Sequence, residues 1–190
     1  MKTIIFASHN RKKLAELSQL MPANVNLILP KTINFPAEGN VSYYANAKAK
    51  VMTLRNINLP ILADDSGIEF KALPQSFGVR TRRDLAQIPP AQWNDYLLKR
   101  LAGETNRQVS LRSVLVLRLP NALWLSAEGC VTGQLVNLAR GHYSGGFDQL
   151  LELPGLGKTL AELPAERRRQ YSHRGRAVVN LMQQLGQLKW

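Results

Sequence analysis

Six residues, 62–67, with the sequence LADDSG, constrain the fold and chemistry of this chain more than any other stretch. They follow a short apolar run at residues 59–61, so an apolar strand that ends in two adjacent acids is one interpretation. Neighbouring strand residues point to opposite faces, so Asp64 and Asp65 should have different surroundings, one facing a site and one supporting it. A carboxylate at such a strand tip is a natural ligand for magnesium. The alternative is a plain turn, because Asp, Ser and Gly are common turn residues.

The composition indicates an ordinary globular protein with anionic partners. The chain has 190 residues, 45% hydrophobic and 20% charged, which suits one domain with a substantial core. Its formal net charge of +12 favours nucleotide phosphates, nucleic acid or an acidic surface as the partner. The single cysteine, Cys130, excludes an internal disulfide and favours a cytoplasmic location. No apolar run of roughly 18 residues is present, so we expect no membrane association.

The N-terminal segment predicts an anion site. Residues 3–7 form a β-branched, aromatic run typical of a buried strand, and a helical pattern covers residues 14–21. Between them, Ser8 or Asn10 can cap the helix, and Lys13 lies in its first turn. Helix N-termini favour phosphate. The alternative is a solvated first turn with ordinary basic residues.

The rest of the chain alternates helices and strands. Ser42 is a good N-cap for a helix that carries Lys50. We expect a loop at 75–83 that ends in a basic cluster containing Arg83. The remaining predicted elements are a strand at 24–29, a helix at 43–54, a helix from 90 to 101, a hairpin of strands 109–119 and 123–128, and a final helix from about 175.

Two further segments carry candidate binding residues. Residues 141–148 are glycine-rich and contain Phe147 and Asp148. Such a segment lets the backbone approach a flat ligand with Phe147 near a base, or it is a flexible loop whose Phe147 packs into the core. Residues 167–176 contain five arginines, and His173 and Arg174 should lie at the start of the final helix.

Taken together, these motifs resemble the inosine triphosphate pyrophosphatase family in order and spacing from residue 3 to about residue 185. The matching pieces are SHNRKK at 8–13, ADDSG at 63–67, TRR at 81–83, EGCVTG at 128–133, GFD at 146–148 and SHRGRA at 172–177. Each motif is weak alone, whereas their joint order is specific.

The resemblance implies a fold and an activity. The fold would be α/β, an elongated two-lobed mixed β-sheet with flanking helices and a central substrate cleft, formed by one domain over residues 1–190. The enzyme would use Mg²⁺ to hydrolyse deaminated purine nucleotides (ITP, dITP, XTP) to the monophosphate and pyrophosphate. It would be a homodimer that binds a purine nucleoside triphosphate, with no membrane and no nucleic-acid partner.

The resemblance also assigns site residues. Asp65 would be the catalytic carboxylate at the metal and the attacking water, with Asp64 supporting it. Cations placed in advance stabilise the departing pyrophosphate. The substrate-binding residues implied are Ser8, Asn10, Lys13, Lys50 and Ser66 for the triphosphate end, Asp148, His173 and Arg174 for the base, and Arg83, Phe147 and Arg168.

Three departures from the family pattern qualify these expectations. Ala45 stands where the family has a metal-binding glutamate, for which Glu38 or Glu69 could compensate. Gly145 stands where an aromatic residue stacks on the base, which predicts looser base selectivity. Gln149 replaces a proline. Arg168 replaces a lysine, so a planar guanidinium stands in place of a compact ammonium.

Two alternative functions remain open. Ala45 and Gly145 would suit a divergent member that binds nucleotides with weak or altered catalysis. The net charge and the arginines at 167–176 would suit a basic nucleic-acid-binding protein, although no motif for that function is present.

Overall fold

A computed structural model describes residues 1–31 and 33–188. In this part of the chain seven strands form one sheet in the order β2-β1-β3-β4-β5-β6-β7. Strand β1 is parallel to β2 and β3, whereas β6 is antiparallel to β5 and β7. The predicted α/β class with a mixed sheet and flanking helices is confirmed. The strands are β1 Lys2–Phe6, β2 Val25–Ile28, β3 Ile61–Phe70, β4 Gln108–Arg118, β5 Trp124–Leu135, β6 Leu151–Leu153 and β7 Lys158–Thr159.

Six α-helices accompany the sheet in the described residues. They are α1 Arg11–Leu20, α2 Tyr43–Thr53, α3 Thr81–Asp84, α4 Trp93–Arg100, α5 Ala165–Tyr171 and α6 His173–Gly186. Short 3₁₀ turns cover Gly78–Arg80, Pro90–Gln92, Gly146–Gln149 and Leu160–Glu162. Across residues 1–31 and 33–188, none of the helices combines the length and apolar character needed to cross a membrane.

Capping residues set where the first two helices begin. Asn10 Oδ1 accepts hydrogen bonds from the Lys12 and Lys13 amides at 3.0 and 3.1 Å, so Asn10 is the cap of α1. Ser42 Oγ accepts from the Ala45 amide at 3.0 Å and starts α2, as predicted. Each cap satisfies backbone donors that the first turn of a helix leaves without a partner.

The chain divides into two compact units, each with its own core. Unit 1 comprises Met1–Asp65, Ser113–Gly129 and Arg174–Trp190, and unit 2 comprises Ser66–Arg112 and Cys130–His173. The prediction of one two-lobed domain over residues 1–190 stays a prediction, and Lys189 and Trp190 lie outside the described residues. The core of unit 1 is built around Phe6, Leu17, Leu62, Leu115 and Leu181, and that of unit 2 around Ile68, Leu97, Leu111, Leu150 and Leu160.

Three predicted boundaries are wrong. The acidic motif is neither a strand tip nor a turn, because β3 continues through it to Phe70. The segment predicted as a loop at 75–83 contains a 3₁₀ turn and most of α3. Strand β5 runs to Leu135 and not to residue 128. Gly133 lies inside this strand. A Cβ at this position would overlap the Glu152 carbonyl and lie 2.8 Å from Leu151 Cδ2, which explains why the residue is a glycine.

Candidate active site

The two acids of the motif are both buried and have separate partners in unit 1. The Asp64 side chain is 1% exposed and the Asp65 side chain is 6% exposed. Asp64 contacts Lys13 on α1, whereas Asp65 contacts Asn46 and Lys50 on α2. Their alternation along β3 therefore gives them different surroundings, as the strand interpretation predicts.

Asp64 is held as an anion by two cations and a hydroxyl. Lys13 Nζ donates to Asp64 Oδ1 at 2.6 Å, Ser113 Oγ donates to Oδ2 at 3.3 Å, and Arg174 Nε lies 3.5 Å from Oδ2. Burial alone would raise the pKa of Asp64, but Lys13 and Arg174 together outweigh it and hold the pKa below its ordinary range. Asp64 is therefore ionised throughout the physiological pH range.

Arg174 links β3 to α1. Its Nη1 donates to Glu16 Oε2 at 2.9 Å while its Nε faces Asp64. The guanidinium therefore joins two carboxylates of unit 1 across 158 residues of sequence. The family-based assignment of Arg174 to the base stays a prediction.

Asp65 lies in a less cationic setting. Asn46 Nδ2 donates to its Oδ2 at 2.8 Å, and Lys50 Nζ lies 3.7 Å from its Oδ1. Burial raises the pKa of Asp65, and Lys50 and the Asn46 hydrogen bond only partly oppose that effect. Of the two neighbouring acids, Asp65 is thus the one that accepts a proton more readily.

Asn46 connects Asp65 to the segment that carries Glu38. Its Oδ1 accepts from the Gly39 amide at 2.8 Å, and its Nδ2 also donates to the Gly39 carbonyl at 3.1 Å. Lys50 Nζ donates to Glu38 Oε1 at 2.7 Å and to the Asp64 carbonyl at 3.2 Å. The Lys50 ammonium is therefore surrounded by three oxygens, one each from Glu38, Asp64 and Asp65.

Of the two acids considered as substitutes for the glutamate missing at position 45, Glu38 contacts this oxygen cluster through Lys50. Glu69 pairs with Arg112, whose Nε lies 2.9 Å from Glu69 Oε1. Ala45 is half-buried on α2.

The predicted phosphate turn lies at the start of α1. Ser8 Oγ accepts from the Asn10 amide at 3.0 Å, and Asn10 Oδ1 caps the helix. These two side chains shape the turn, and Lys13 places its charge on Asp64. Their contact with a triphosphate stays a prediction.

Unit 2 holds several of the residues predicted to bind the base. Asp148 is 8% exposed and accepts from Ser144 Oγ at 2.7 Å. Arg168 Nε lies 3.9 Å from Asp148 Oδ2, so a cation faces this buried acid. His173 begins α6 and is 4% exposed.

Phe147 packs into the core of unit 2. Its ring stacks on Trp93 with centroids 5.8 Å apart and planes 15° apart. Its ring is partly buried, and its contact with a base stays a prediction. Arg83 donates to the Val79 carbonyl at 3.1 Å, and Ser66 is half-buried in β3.

Three contact residues around the acids were not predicted from the sequence. They are Asn46, Ser113 and Glu16. A weak signal existed for two of them, because Ser113 interrupts the apolar run of β4 and Asn46 interrupts an alanine-rich helix. Both are buried polar residues, which normally have a hydrogen-bond partner.

Comparison with known proteins gives one consistent result. A family model described as the Ham1 family matches residues 4–184. The dihydroneopterin triphosphate diphosphatase of Limosilactobacillus reuteri is 36% identical, over 96% of this chain and 97% of that protein. The dITP/XTP pyrophosphatase of Deinococcus deserti is 35% identical, over 95% and 88%. A Ham1 protein structure from Coxiella burnetii covers 99% of this chain and 100% of its own, with a TM-score of 0.85 and 28% identity.

Proposed function

We propose that this chain, which belongs to the Ham1 family, is a pyrophosphatase of deaminated purine nucleoside triphosphates such as ITP, dITP and XTP. Membership of the family confirms the resemblance that the sequence motifs gave. The observation that carries the proposal is the pair of buried acids on β3, one held as an anion by cations and the other with a raised pKa. A site for phosphate chemistry needs fixed positive charge and one group able to accept a proton.

We further propose that Glu38 and Asp65 hold Mg²⁺. The fit rests on Lys50, whose ammonium already lies among three oxygens from this part of unit 1. Carboxylate and carbonyl oxygens suit a hard cation, and one or two protein carboxylates are enough when phosphates complete the shell. When bound, the ion would neutralise charge on the phosphates as pyrophosphate leaves.

The residues of the chain would perform the other parts of the reaction. Asp65 would orient a water molecule toward the α-phosphorus and accept its proton as the new P–O bond forms. The bond between the α-phosphorus and the bridging oxygen breaks, and pyrophosphate takes up the electron pair. Lys13 and Lys50 would stabilise the charge that develops on the phosphates. Asp64 would keep Lys13 in position.

Dihydroneopterin triphosphate is a second candidate substrate. The relative that carries this activity in its name shares 36% identity over almost the whole of both chains. The pterin ring of dihydroneopterin triphosphate is flat, like a purine. The absence of a side chain at Gly145, where no atom lies within 4 Å of an added Cβ, leaves room for a different ring.

Pyrophosphate release from a panel of triphosphates tests both candidates. We expect Mg²⁺-dependent release from ITP and XTP, or from dihydroneopterin triphosphate, to exceed release from ATP and GTP. Asp65→Asn should abolish pyrophosphate release. The Glu38→Gln variant should need a higher Mg²⁺ concentration to reach half of its maximal rate. The control Asp95→Asn changes an exposed acid on α4 and should behave as wild type. Full activity of Asp65→Asn would contradict the proposed role of this residue.

Homodimer formation and a cytoplasmic location complete the proposal. Exposed apolar side chains support a surface for a second copy, since Val41 is 87%, Tyr44 40% and Met52 38% exposed around α2. Sedimentation equilibrium of wild type and Val41→Glu measures this directly. A monomeric wild-type protein at micromolar concentration would contradict the dimer.

A further inference from the structure

A segment without helix or strand, residues 33–40, carries Glu38 between β2 and α2 of unit 1. Most residues of segment 33–40 are exposed, and the half-buried ones are Ile33, Phe35 and Glu38. A segment that buries so little apolar surface opens locally at a small cost in free energy unless specific contacts hold it. The position of Glu38 therefore depends on a few contacts that can be named.

His9 makes the contacts at the start of segment 33–40. Its Nε2 lies 2.6 Å from the Ile33 carbonyl oxygen. Because a carbonyl can only accept, Nε2 carries the hydrogen and donates. The His9 ring also packs on the Phe35 ring, with centroids 4.8 Å apart and planes 49° apart. One side chain thus contacts two of the three half-buried residues, one through its main chain and one through its ring.

The other end of the segment is held by α2. Asn46 bonds both the amide and the carbonyl of Gly39, and Lys50 Nζ donates to Glu38 Oε1 at 2.7 Å. The side chains of this ion pair are 13% and 21% exposed. A partly exposed ion pair contributes little order by itself, because holding two long side chains in one geometry costs entropy. A second point of attachment is therefore useful to Glu38.

Pro36 connects the two attached ends of the segment. Its ring fixes its own φ and favours an extended conformation for Phe35, the residue before it. Glu38 follows Phe35 by three positions, so their Cα atoms lie at most about 11 Å apart. With so short and stiff a connection, a displacement of Phe35 is passed on to Glu38.

We propose that His9 is a positioning residue that keeps Glu38 beside Lys50. It does so by holding segment 33–40 against the turn before α1. This inference rests on the proposed function, in which Glu38 is one of the two carboxylates that hold Mg²⁺. His9 acts through Glu38, so its loss should weaken metal binding and leave the chemistry at saturating metal nearly unchanged.

His9 can be replaced without disturbing the turn that carries it. Ser8 Oγ accepts from the Asn10 amide, and Asn10 Oδ1 accepts from the Lys12 amide. Neither bond uses the His9 side chain. His9→Ala should therefore fold, and its urea unfolding curve verifies this.

The first test measures the segment itself in metal-free protein. Amide hydrogen exchange followed by mass spectrometry on peptides that cover segment 33–40 should be roughly tenfold faster in His9→Ala, since a hydrogen bond and a ring contact are lost together. His9→Gln keeps an N–H donor and His9→Phe keeps a ring, so each should lie between wild type and His9→Ala.

The second test measures the metal. Mn²⁺ titration by electron paramagnetic resonance should show affinity weakened by about tenfold in His9→Ala, the lower end of the effect of removing a residue that supports a ligand. Half-saturating Mg²⁺ for pyrophosphate release should rise by the same factor, with kcat at saturating Mg²⁺ close to wild type. In a Glu38→Gln background, His9→Ala should have no further effect on Mn²⁺ affinity, because the two residues act through one contact.

Asn34→Ala is the matched control. It removes an exposed side chain from the same segment and should change neither Mn²⁺ affinity nor half-saturating Mg²⁺. This control separates the contacts of His9 from a general sensitivity of segment 33–40 to substitution.

The outcomes distinguish this inference from the proposed function. Exchange that matches wild type in His9→Ala, unchanged Mn²⁺ affinity, or an equal loss of affinity in the Glu38→Gln background would overturn the role of His9. A wild type that binds no Mn²⁺ would overturn the metal site and this inference together. A wild type that binds Mn²⁺ but releases no pyrophosphate from any triphosphate would overturn the proposed function alone, and exchange and Mn²⁺ affinity would still decide the role of His9.

Discussion

The substitutions Asp64→Asn and Asp65→Asn should affect stability differently, with a loss for the first one alone. Asp64→Asn removes a charge that lies 2.6 Å from Lys13 Nζ and 3.5 Å from Arg174 Nε in a site that is 1% exposed. Breaking a buried pair costs about 3–5 kcal/mol. Because Lys13 is 20% exposed and Arg174 keeps Glu16, we expect the low end, about 3 kcal/mol, at pH 7. For a chain of this length that corresponds to a fall in Tm of about 6–12 °C.

Asp65→Asn should be neutral or stabilising at the same pH. The raised pKa of Asp65 means that its ionised form is disfavoured by burial in the folded protein, so removing the charge relieves a cost. The amide oxygen of the variant can still accept from Asn46 Nδ2. We expect a gain of up to about 1 kcal/mol, together with the loss of activity that accompanies many stabilising changes at active sites.

The pH dependence gives each effect a signature. The folded-state pKa of Asp64 lies below its unfolded value, so its contribution is complete above about pH 4 and is lost as pH falls further. The folded-state pKa of Asp65 lies above its unfolded value, so its cost is absent below about pH 4 and appears as pH rises through the folded pKa. Both variants should therefore approach wild type in strongly acidic solution.

Urea unfolding at a series of pH values measures these free energies, with unchanged m-values as the condition for comparison. The matched control is Asp95→Asn, an exposed acid on α4, which should stay within about 0.5 kcal/mol of wild type. Equal destabilisation by Asp64→Asn and Asp65→Asn at pH 7, or a difference that does not shrink in acid, would refute the reasoning.

Two further predictions concern the supports of these acids. Gly67→Ala would place a Cβ in overlap with the Gly78 carbonyl, so urea unfolding should show a loss of about 1–3 kcal/mol, whereas Gly186→Ala, with open space on α6, should be neutral or stabilising. Asn46→Ala removes the hydrogen bond from Asn46 Nδ2 to Asp65, so half-saturating Mg²⁺ in the activity assay and Mn²⁺ affinity by electron paramagnetic resonance should both worsen by about 10-fold or more. Metal titrations that coincide with wild type would contradict this second expectation.

Local signals in the sequence predicted the helix starts and failed at the acidic motif. Asn10 and Ser42 cap helices through bonds to residues two or three positions away, so a short window contains the whole interaction. The motif at 62–67 has turn residues, yet it lies within β3, because its acids find cations and an amide from distant segments. A window of neighbouring residues cannot reveal that compensation.

The candidate site shows the same limit. The motif order pointed to Asp64, Asp65, Lys13 and Lys50, and the structure brings these four side chains together in unit 1. The sequence alone did not indicate that Asn46 would join Asp65 to Gly39. Nor did it indicate which acid, Glu38 or Glu69, would lie near Lys50, since both contacts depend on how segments far apart in sequence fold together.

The bond between Arg174 and Glu16 has a consequence for protein synthesis. These two residues are 158 positions apart, so at a ribosomal rate of 5–20 residues per second the second arrives about 8–30 s after the first. Until then Asp64 lacks Arg174, one of the cations that stabilise its charge, and any unit 1 structure formed on the ribosome keeps a poorly compensated charge in its interior. A chain that terminates early, before α6, is therefore an unstable product that cellular proteases should remove.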